Sequence, residues 1–379
     1  MSPPPDIAIF SPLGRSGTAA HGGITTVVCM LSRGFANQGL GVELVTYAPS
    51  DPRLLVPGVD ARVGIVNFGP GGQLRHIFQL GDYLRQRRPR VLLTAGHRSN
   101  RLAARCKQRW RPTTRIFVSV HNVLTPGLAE MGPLRRWLRL RDISRTYPHA
   151  GGVICVSAGV AEDLARYVTI PAAQLSIIHN PVLSEELLRT AEHECSHPWM
   201  APAQPPVILG AGRLTSQKDF ATLVRAFALL ASAVGHRLLI IGDGAERAAL
   251  ERLAVDLGVA DRVTFPGFVE DPLSYMRRAR LFVLSSAWEG FGNVLVEAMA
   301  VGTPVVSTDC RSGPREILLD GTLGPLAAPG DPRALAEAMR AAIAQPADPD
   351  ALRRRAADFS VDVVARRYLD TLFPARTAA

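Results

Sequence analysis

Several features that mark common protein classes are absent or scarce in this sequence. Aromatic residues make up only 6% of the chain and no nucleic-acid-binding motif is present, so a nucleic-acid partner is not expected. No apolar run reaches the ~18 residues typical of a transmembrane helix, and none is predicted. The segment Met1–Asp6 has neither the basic nor the apolar region of a secretory signal, so no such signal is predicted.

Residues that commonly bind metals do not form recognisable patterns. The five cysteines show no metal-binding spacing, and their odd number argues against a closed set of disulfides; they are Cys29, Cys106, Cys155, Cys195 and Cys310. We therefore expect reduced thiols and a cytoplasmic location. The single Asp-x-Asp triplet, Asp348-Pro-Asp350, precedes a helical pattern in the tail and is predicted to cap that helix. No metal is expected.

Lysine is almost absent, because only Lys107 and Lys218 among the 43 basic residues are lysines. A strand-like run, Val207–Gly212, leads to Arg213 and Lys218, and a helical pattern follows. Ligands bind beyond the carboxyl ends of strands in open α/β sheets, so two cations here suit a diphosphate. A compact ammonium acts on phosphate as a point charge, a role that arginine copies poorly. The alternative is a solvated lysine at the start of a helix.

The excess positive charge is confined to one part of the chain. Residues 1–200 carry a net charge of +10, whereas residues 201–379 are neutral overall. Arginines are dense over residues 85–115 and again over 135–145. A basic surface of this size indicates an anionic partner, which is anionic lipid or a phosphorylated acceptor if nucleic acid is set aside.

The second arginine-rich stretch, Leu134–Ile143, interleaves apolar and basic residues at helical spacing. One side of the predicted helix is formed by Leu134, Trp137, Leu138 and Arg141, and its flanks by Arg135, Arg136 and Arg139. This pattern is typical of an interfacial helix on anionic lipid. It equally fits a surface helix packed on its own domain, because Leu140 and Ile143 widen the apolar side.

Short apolar runs rich in β-branched residues alternate with helical patterns, which is typical of doubly wound parallel sheets. The predicted strands begin at Ile7, Val42, Val63, Val91, Ile116, Val153, Val207, Leu238, Val263, Leu281 and Pro304. Helices are predicted between them, for example over 24–37, 73–87 and 100–110, and in the tail over 350–372. The proline-containing stretch 183–206 separates two halves of ordinary domain size.

The most informative segment is Glu289–Glu297, which follows a predicted strand. Gly290 and Gly292 predict a turn, and the apolar helix after it carries Glu297 as its single charge. Such a carboxylate needs hydrogen-bonding partners, and helix N-termini attract anions. We therefore expect two carboxylates and backbone N–H donors around a ligand that carries hydroxyls and phosphates. The alternative is an exposed Glu289 and a Glu297 that only complements the helix dipole.

Together these segments resemble the retaining GT-B glycosyltransferases of family 4, over residues 7–373. Glu289 and Glu297 match the family's paired glutamates, and Gly212–Leu214 with Lys218 matches its diphosphate-binding segment. Further matching motifs are Ile240–Gly244, Val263–Phe268 and Gly302–Ser307. The stretch Ser307–Ile317 is similar to a subgroup that builds bacterial surface polysaccharides and lipid-linked oligosaccharides.

The resemblance implies an α/β, GT-B fold with two doubly wound, parallel-sheet, Rossmann-like domains facing across a cleft. It implies an acceptor-binding domain at 1–183, a linker at 184–206 and a nucleotide-sugar-binding domain at 207–349. Residues 350–379 are expected to form a helix that packs back on the first domain.

The resemblance also implies roles for residues of the second domain. Glu289 contacts hydroxyls of the donor sugar, and Glu297 binds the ribose hydroxyls. Arg213 and Lys218 stabilise the departing diphosphate. Backbone contacts with the donor are implied for Val269, Phe291, Gly292 and Asn293.

In the first domain, the resemblance assigns Gly23 to the diphosphate and His121 to the neighbourhood of the donor sugar. Gly22 and Gly23 precede a helix, where glycine lets the backbone approach a phosphate. A simple flexible loop is the alternative for Gly23. His97 competes with His121, since both are predicted to end strands.

The enzyme implied is a retaining hexosyltransferase that forms an α-linkage. Its donor would be a UDP-sugar, such as UDP-N-acetylhexosamine or UDP-hexose, and its acceptor a polyprenyl-diphosphate-linked saccharide or polysaccharide precursor. It would need no metal or other cofactor and would lie at the inner face of the plasma membrane. Two alternatives stay open: a GT-B nucleotide-sugar epimerase or hydrolase, and a non-catalytic scaffold that binds a nucleotide sugar.

Overall fold

The structure is a computed structural model that describes residues 3–13, 23–48, 59–231 and 235–374. The chain divides into two compact units. Unit 1 comprises residues 1–181 together with 361–379, and unit 2 comprises residues 182–360.

Among the described residues, the sheet of unit 1 has seven parallel strands in the order β3-β2-β1-β4-β5-β6-β7. They are β1 (Ile7–Phe10), β2 (Val42–Thr46), β3 (Gly64–Asn67), β4 (Val91–Ala95), β5 (Arg115–Val120), β6 (Gly152–Cys155) and β7 (Leu175–Ile177). In β1, Ile7 and Ile9 belong to one buried core, whereas Ala8 and Phe10 belong to another. Side chains alternate between the faces of a strand, so both faces of this sheet are covered. That explains the continuous apolar strands.

The helices of unit 1 are α1 (Gly23–Asn37), α2 (Gln73–Arg87), α3 (His97–Trp110), α4 (Thr125–Ala129), α5 (Pro133–Thr146), α6 (Ala158–Ala165) and α15 (Val361–Leu372). The last of these comes from the end of the described chain and packs on α1, where the rings of Phe35 and Tyr368 meet edge to face. A Cβ atom at Gly34 would lie 2.8 Å from the Cβ of Ala365. The close approach of α1 and α15 therefore depends on glycine.

Within the described part of unit 2, six parallel strands lie in the order β10-β9-β8-β11-β12-β13. They are β8 (Val207–Ala211), β9 (Arg237–Ile241), β10 (Val263–Gly267), β11 (Leu281–Leu284), β12 (Val305–Thr308) and β13 (Leu326–Ala327). Its helices are α7 (Glu185–Thr190), α8 (Phe220–Ala231), α9 (Arg247–Asp256), α10 (Pro272–Arg278), α11 (Asn293–Ala300), α12 (Pro314–Ile317), α13 (Pro332–Ala344) and α14 (Pro349–Ala357). Short 3-10 turns occupy Tyr147–His149, Ala172–Gln174, Pro198–Met200 and Ala260–Arg262.

Each sheet contains one point where the strand order changes direction. From β1 the chain adds β2 and β3 on one side and the later strands on the other. From β8 it adds β9 and β10 on one side and β11 to β13 on the other. Loops that leave the strands diverge at such a switch point, and ligands bind there, beyond the carboxyl ends. The switch points lie between β1 and β4 and between β8 and β11.

The predicted parallel sheets are confirmed, and each predicted strand begins within one residue of its expected start. The sequence pattern does not predict β7 and β13, which have only three and two residues. The predicted tail helix is two helices, because the chain breaks after α14. There the carbonyl of Phe359 accepts from the backbone N–H groups of Val182 and Leu183. Asp348 caps α14 as predicted, accepting from the N–H groups of Asp350 and Ala351.

Candidate functional site

The two predicted motifs of unit 2 meet at its switch point. Lys218 lies after β8 and Glu289 after β11, and these neighbouring parallel strands end at the same edge of the sheet. Lys218 Nζ donates to Glu289 Oε1 at 2.5 Å, with the two side chains only 14% and 8% exposed. Ser285 Oγ donates to the carbonyl of Lys218 at 2.8 Å and joins the two loops. Little water screens this pair, so each charge fixes the position of the other.

The loop after β8 is positioned by backbone contacts with the loop after β9. The N–H of Gly212 donates to the carbonyl of Ile241 at 3.0 Å. Gly242 has a φ of +121°, and a Cβ atom there would lie 2.0 Å from the carbonyl oxygen of Gly212. Both the conformation and the close approach require glycine. The Ile240–Gly244 motif thus supports the loop that carries Lys218.

Two serines hold Glu289 in place, and the sequence analysis did not identify them. Ser286 Oγ donates to Glu289 Oε1 at 2.7 Å, and Ser312 Oγ donates to the Glu289 carbonyl. Polar residues directly after a buried strand, as at Ser286, are the signal that points to such a role. Within the described residues, both side-chain donors use Oε1, so Oε2 keeps capacity for a further hydrogen bond.

Glu297 lies on α11, one turn into the helix that begins after Gly292. Gly292 has a φ of +105°, a conformation that glycine adopts without strain. Burial raises the pKa of Glu297 to about 7, and the nearby Lys218 opposes this rise. The side chain forms no hydrogen bond or ion pair with any described residue. A half-buried carboxylate without a partner is costly, so hydroxyl groups of a ligand would stabilise it.

The remaining candidates of unit 2 lie along the same edge. The ring of Phe291 packs against Phe359 at 5.2 Å, and Asn293 opens the first turn of α11. The exposed side chain of Arg213 forms no hydrogen bond or ion pair with the described residues. Val269 is half-buried in the loop after β10. The structure therefore brings Lys218, Glu289 and Glu297 together and places the others in neighbouring loops.

In unit 1, His121 follows β5 directly. Ser119 Oγ lies 2.7 Å from His121 Nε2 and donates to the carbonyl of Thr94 at 2.8 Å. The serine has one proton, so it accepts from the Nε2–H group, and Nδ1 of His121 is left as an acceptor. Burial lowers the pKa of His121 to about 4. The imidazole is therefore neutral at pH 7.

His97 and Gly23 are placed differently from what the sequence predicts. His97 does not end a strand but opens α3, one residue after Gly96. Burial, Arg139 and Arg101 lower the pKa of His97 to about 4. Gly23 is the first residue of α1, with no described atom within 4 Å of a Cβ built there. Gly22 and the rest of the predicted phosphate turn lie outside the described residues.

The arginine-rich segment of unit 1 forms α5, which is packed at one end and exposed at the other. Ile143 and Thr146 are buried near its C-terminus. The α5 stripe, defined as Leu134, Trp137 and Leu138, is 69%, 54% and 49% exposed. The guanidinium of Arg141 lies 4.9 Å from the centre of the Trp137 ring. Arg139 does not flank this stripe in solvent as predicted; it is half-buried on the side that packs against α3.

The described ranges contain no metal-ligand cluster and no helix able to span a membrane. No three His, Cys, Asp or Glu side chains converge there in the way that metal ligands do. None of the helices combines the length and the hydropathy that a bilayer span needs. All five cysteines are free thiols.

Two family models match the chain. Residues 22–181 match the glycosyl transferase 4-like domain, and residues 196–359 match the model for glycosyl transferases group 1. The first match falls in unit 1 and the second in unit 2.

Individual relatives extend these matches. The chain is 30% identical over 370 residues to a D-inositol 3-phosphate glycosyltransferase of Xylanimonas cellulosilytica, covering 88% of this chain and 86% of that protein. It is 33% identical over 182 residues to the N-acetylgalactosamine-N,N'-diacetylbacillosaminyl-diphospho-undecaprenol 4-alpha-N-acetylgalactosaminyltransferase of Campylobacter jejuni, covering 48% of each. The matched region spans about half the length of several such curated relatives.

Solved structures share the fold. The crystal structure of Anabaena HepE in complex with UDP is similar with a TM-score of 0.77 at 18% identity, covering 97% of this chain and 99% of that one. At this identity the similarity shows the arrangement of strands and helices, and it confirms the predicted fold.

Proposed function

Because the chain belongs to the group 1, family 4-like glycosyltransferases of the GT-B fold, a retaining family, we propose that it transfers a sugar from a nucleotide donor to form an α-linkage. The donor is a UDP-sugar, a choice supported by the UDP held by the Anabaena protein. The acceptor is a lipid-linked saccharide or polysaccharide precursor, a choice supported by the diphospho-undecaprenol in the name of the Campylobacter enzyme.

One observation carries this proposal: the Lys218–Glu289 ion pair lies at the switch point of unit 2 beside the unpartnered carboxylate of Glu297. A nucleotide sugar presents a charged diphosphate between two sets of hydroxyl groups. Lys218 and Arg213 supply positive charge for the diphosphate. Glu289 Oε2 and the Glu297 carboxylate accept hydrogen bonds from the sugar and ribose hydroxyls.

In the proposed reaction, the acceptor hydroxyl oxygen bonds to the anomeric carbon while the bond from that carbon to the diphosphate breaks. The hydroxyl proton passes to an oxygen of the leaving diphosphate on the same face of the sugar, so the configuration is retained. No enzyme carboxylate acts as nucleophile. Lys218 and Arg213 stabilise the charge that develops on the diphosphate, which is the work that a metal ion would otherwise do.

Unit 1 binds the acceptor and an anionic membrane surface in this proposal. The α5 stripe is exposed and apolar, and Arg135, Arg136 and Arg141 lie on the same helix. An apolar stripe among cations complements a bilayer with anionic headgroups. The protein would then lie peripherally on the inner face of the plasma membrane. His121 would lie near the donor sugar, and Gly23 would contact a phosphate through its backbone.

A donor and acceptor screen tests the proposed activity. The purified chain is incubated with a panel of nucleotide sugars and a polyprenyl-diphosphate-linked saccharide, and products are read by mass spectrometry and by NMR of the new anomeric centre. We expect one donor to extend the acceptor with an α-linkage. The Lys218→Ala protein is the control for contaminating activity.

The screen separates the proposal from its alternatives. Consumption of a nucleotide sugar without any acceptor would indicate an epimerase or a hydrolase. Tight binding of a nucleotide sugar with no product from any acceptor would indicate a scaffold. A β-linked product would contradict retention.

A further inference from the structure

A second group of charges lies in unit 1, between α3 and α5. We call it the α3–α5 cation cluster, formed by Arg101, Arg105, Arg139 and the single carboxylate Asp142, with the neutral imidazole of His97 beside them. Asp142 pairs with Arg105 at 2.6 Å and lies 3.4 Å from Arg101 Nε. Two arginines therefore share one carboxylate, and Arg139 lies beside them without an ion-pair partner among the described residues.

The cluster has more cations than carboxylates, and part of it is buried, where an unbalanced charge is costly. Among the described residues, the one hydrogen bond of the Arg139 guanidinium is to the Met131 sulfur, at 3.9 Å from Nη1. Arg101 Nε, Arg139 Nε, His97 Nδ1 and one oxygen of the cluster's carboxylate, Asp142 Oδ2, are buried without hydrogen-bond partners among the described residues. Burial lowers the pKa of Arg139, Tyr147 opposes this change, and the charge of Arg101 adds to it. Half-buried cations with too few anions favour the binding of an external anion.

The position of the cluster in the fold also indicates a ligand. The switch point of unit 1 lies between β1 and β4, and α3 begins directly after β4 at that edge of the sheet. Ligands of doubly wound sheets bind at this place. The N-terminus of α3 adds the positive end of a helix dipole. Planar guanidinium groups match the oxygens of a phosphate group with paired hydrogen bonds.

One helix links the cluster to the proposed membrane surface. Arg139 of the cluster and Trp137 of the α5 stripe are two residues apart on α5, so they lie about 3 Å apart along its axis and on different sides. We propose that the α3–α5 cation cluster binds a phosphate ester at the membrane surface, either the diphosphate of a lipid-linked acceptor or a lipid headgroup phosphate. The identity of the ligand rests on the proposed function, whereas the existence of an anion site does not.

Titration with inorganic pyrophosphate tests the site. The full chain is first saturated with UDP to occupy unit 2, and pyrophosphate binding is then measured by calorimetry. Arg139→Met keeps the apolar stem, and Arg101→Gln leaves Asp142 paired with Arg105, so two independent variants probe the cluster. Arg145→Met, an exposed arginine on the same helix, is the matched control. We expect each cluster variant to weaken binding about tenfold or more, and the control to change it less than about twofold.

The outcomes are separable from those of the proposed function. If the parent does not bind pyrophosphate, or if Arg139→Met and Arg101→Gln bind it no more weakly than the Arg145→Met control does, the cluster is not an anion site. If UDP does not bind, the donor proposal fails, and the pyrophosphate titration is repeated in the Lys218→Ala protein. The measurement needs no sugar transfer, so an inactive chain can still support the site.

A second experiment, with lipid vesicles, distinguishes the two possible sources of the phosphate. The parent and Arg139→Met are sedimented with phosphatidylglycerol vesicles and with phosphatidylcholine vesicles. Weaker pyrophosphate binding with unchanged sedimentation supports the site and assigns it to the acceptor diphosphate. A parallel loss of sedimentation supports the site and assigns it to a headgroup.

Discussion

In unit 2 the cation at the switch point, Lys218, is bonded to a carboxylate of the same unit, whereas in unit 1 Arg139 lies half-buried with a thioether as its side-chain contact. Both groups lie near the carboxyl ends of parallel strands. The lysine of the first group has an anionic partner before any ligand arrives. The second carries an excess of positive charge that the protein does not balance.

This difference indicates two ways of preparing a site for an anion. In unit 2, Glu289 holds Lys218 in position before the donor binds. The lysine can then bind the diphosphate with little rearrangement of its side chain. In unit 1, an arriving anion relieves a cost that the folded protein already bears. The paired site favours geometric precision, and the unpaired cluster favours affinity.

The largest effect is expected from breaking the pair in unit 2. Lys218→Ala should lower kcat by about 100-fold to 1,000-fold, because one charge-stabilising group is lost from the diphosphate. It should also destabilise the fold by roughly 3 kcal/mol, since Glu289 stays buried without its partner. Turnover at saturating donor and thermal unfolding are the measurements. Lys218→Ala with Glu289→Gln should regain stability but not turnover, and an unchanged kcat in Lys218→Ala would remove the lysine from the diphosphate site.

The next effect concerns the exposed side of α5. Replacement of Arg135, Arg136 and Arg141 by glutamate should weaken sedimentation with phosphatidylglycerol vesicles by about 100-fold or more, at ~1 kcal/mol for each basic residue near the surface. High salt should release the parent protein, and neutral vesicles should not bind it. The matched control replaces three exposed arginines of unit 2, Arg252, Arg333 and Arg340. If the α5 variant sediments as strongly as the parent and the control, α5 is only a structural surface helix.

A smaller effect should follow the titration of Glu297. Its pKa in the folded protein is about 7, above the ordinary value of 4.5. The folded protein therefore loses stability as pH rises from 4.5 to 7, on the order of 3 kcal/mol in total. The ionised form accepts from ribose hydroxyls, so UDP-glucose should bind about tenfold more tightly at pH 8 than at pH 6. Glu297→Gln should remove both dependences, and Glu251→Gln is the control. A pH-independent affinity in the parent would contradict contact with the ribose.

The smallest effect is expected from removing metal ions. Turnover should be the same with and without excess EDTA, because Lys218 and Arg213 neutralise the leaving diphosphate in the proposed reaction. Loss of activity in EDTA that Mg²⁺ or Mn²⁺ restores would show that these two side chains are insufficient.

Much of the fold could be predicted because its strands are buried on both faces. Continuous apolar runs such as Ile7–Phe10 and Leu281–Leu284 stand out in the sequence, and glycines mark the loops between them. The tail helix was harder to predict. Its break after α14 arises from tertiary hydrogen bonds to the carbonyl of Phe359, which no local pattern reveals.

The two charged groups also differ in how far the sequence predicts them. Lys218 and Glu289 belong to sequence motifs, so their presence at one edge of the sheet could be predicted, although their direct ion pair could not. The α3–α5 cation cluster has no motif. Helical spacing alone puts Arg139 beside the α5 stripe, but packing of α5 on α3 turns it inward, and only tertiary structure brings it near Arg101 and His97.

The packing of α15 on α1 has a consequence for the order of folding during synthesis. Val364, Tyr368 and Leu372 belong to the same buried core as Ile7 and Phe35, although the whole of unit 2 lies between them in the chain. During synthesis, unit 2 can fold while unit 1 still lacks α15 and exposes the groove around Gly34. Unit 1 is therefore completed last, and a nascent chain halted before Val361 would present an apolar groove to chaperones or to other chains.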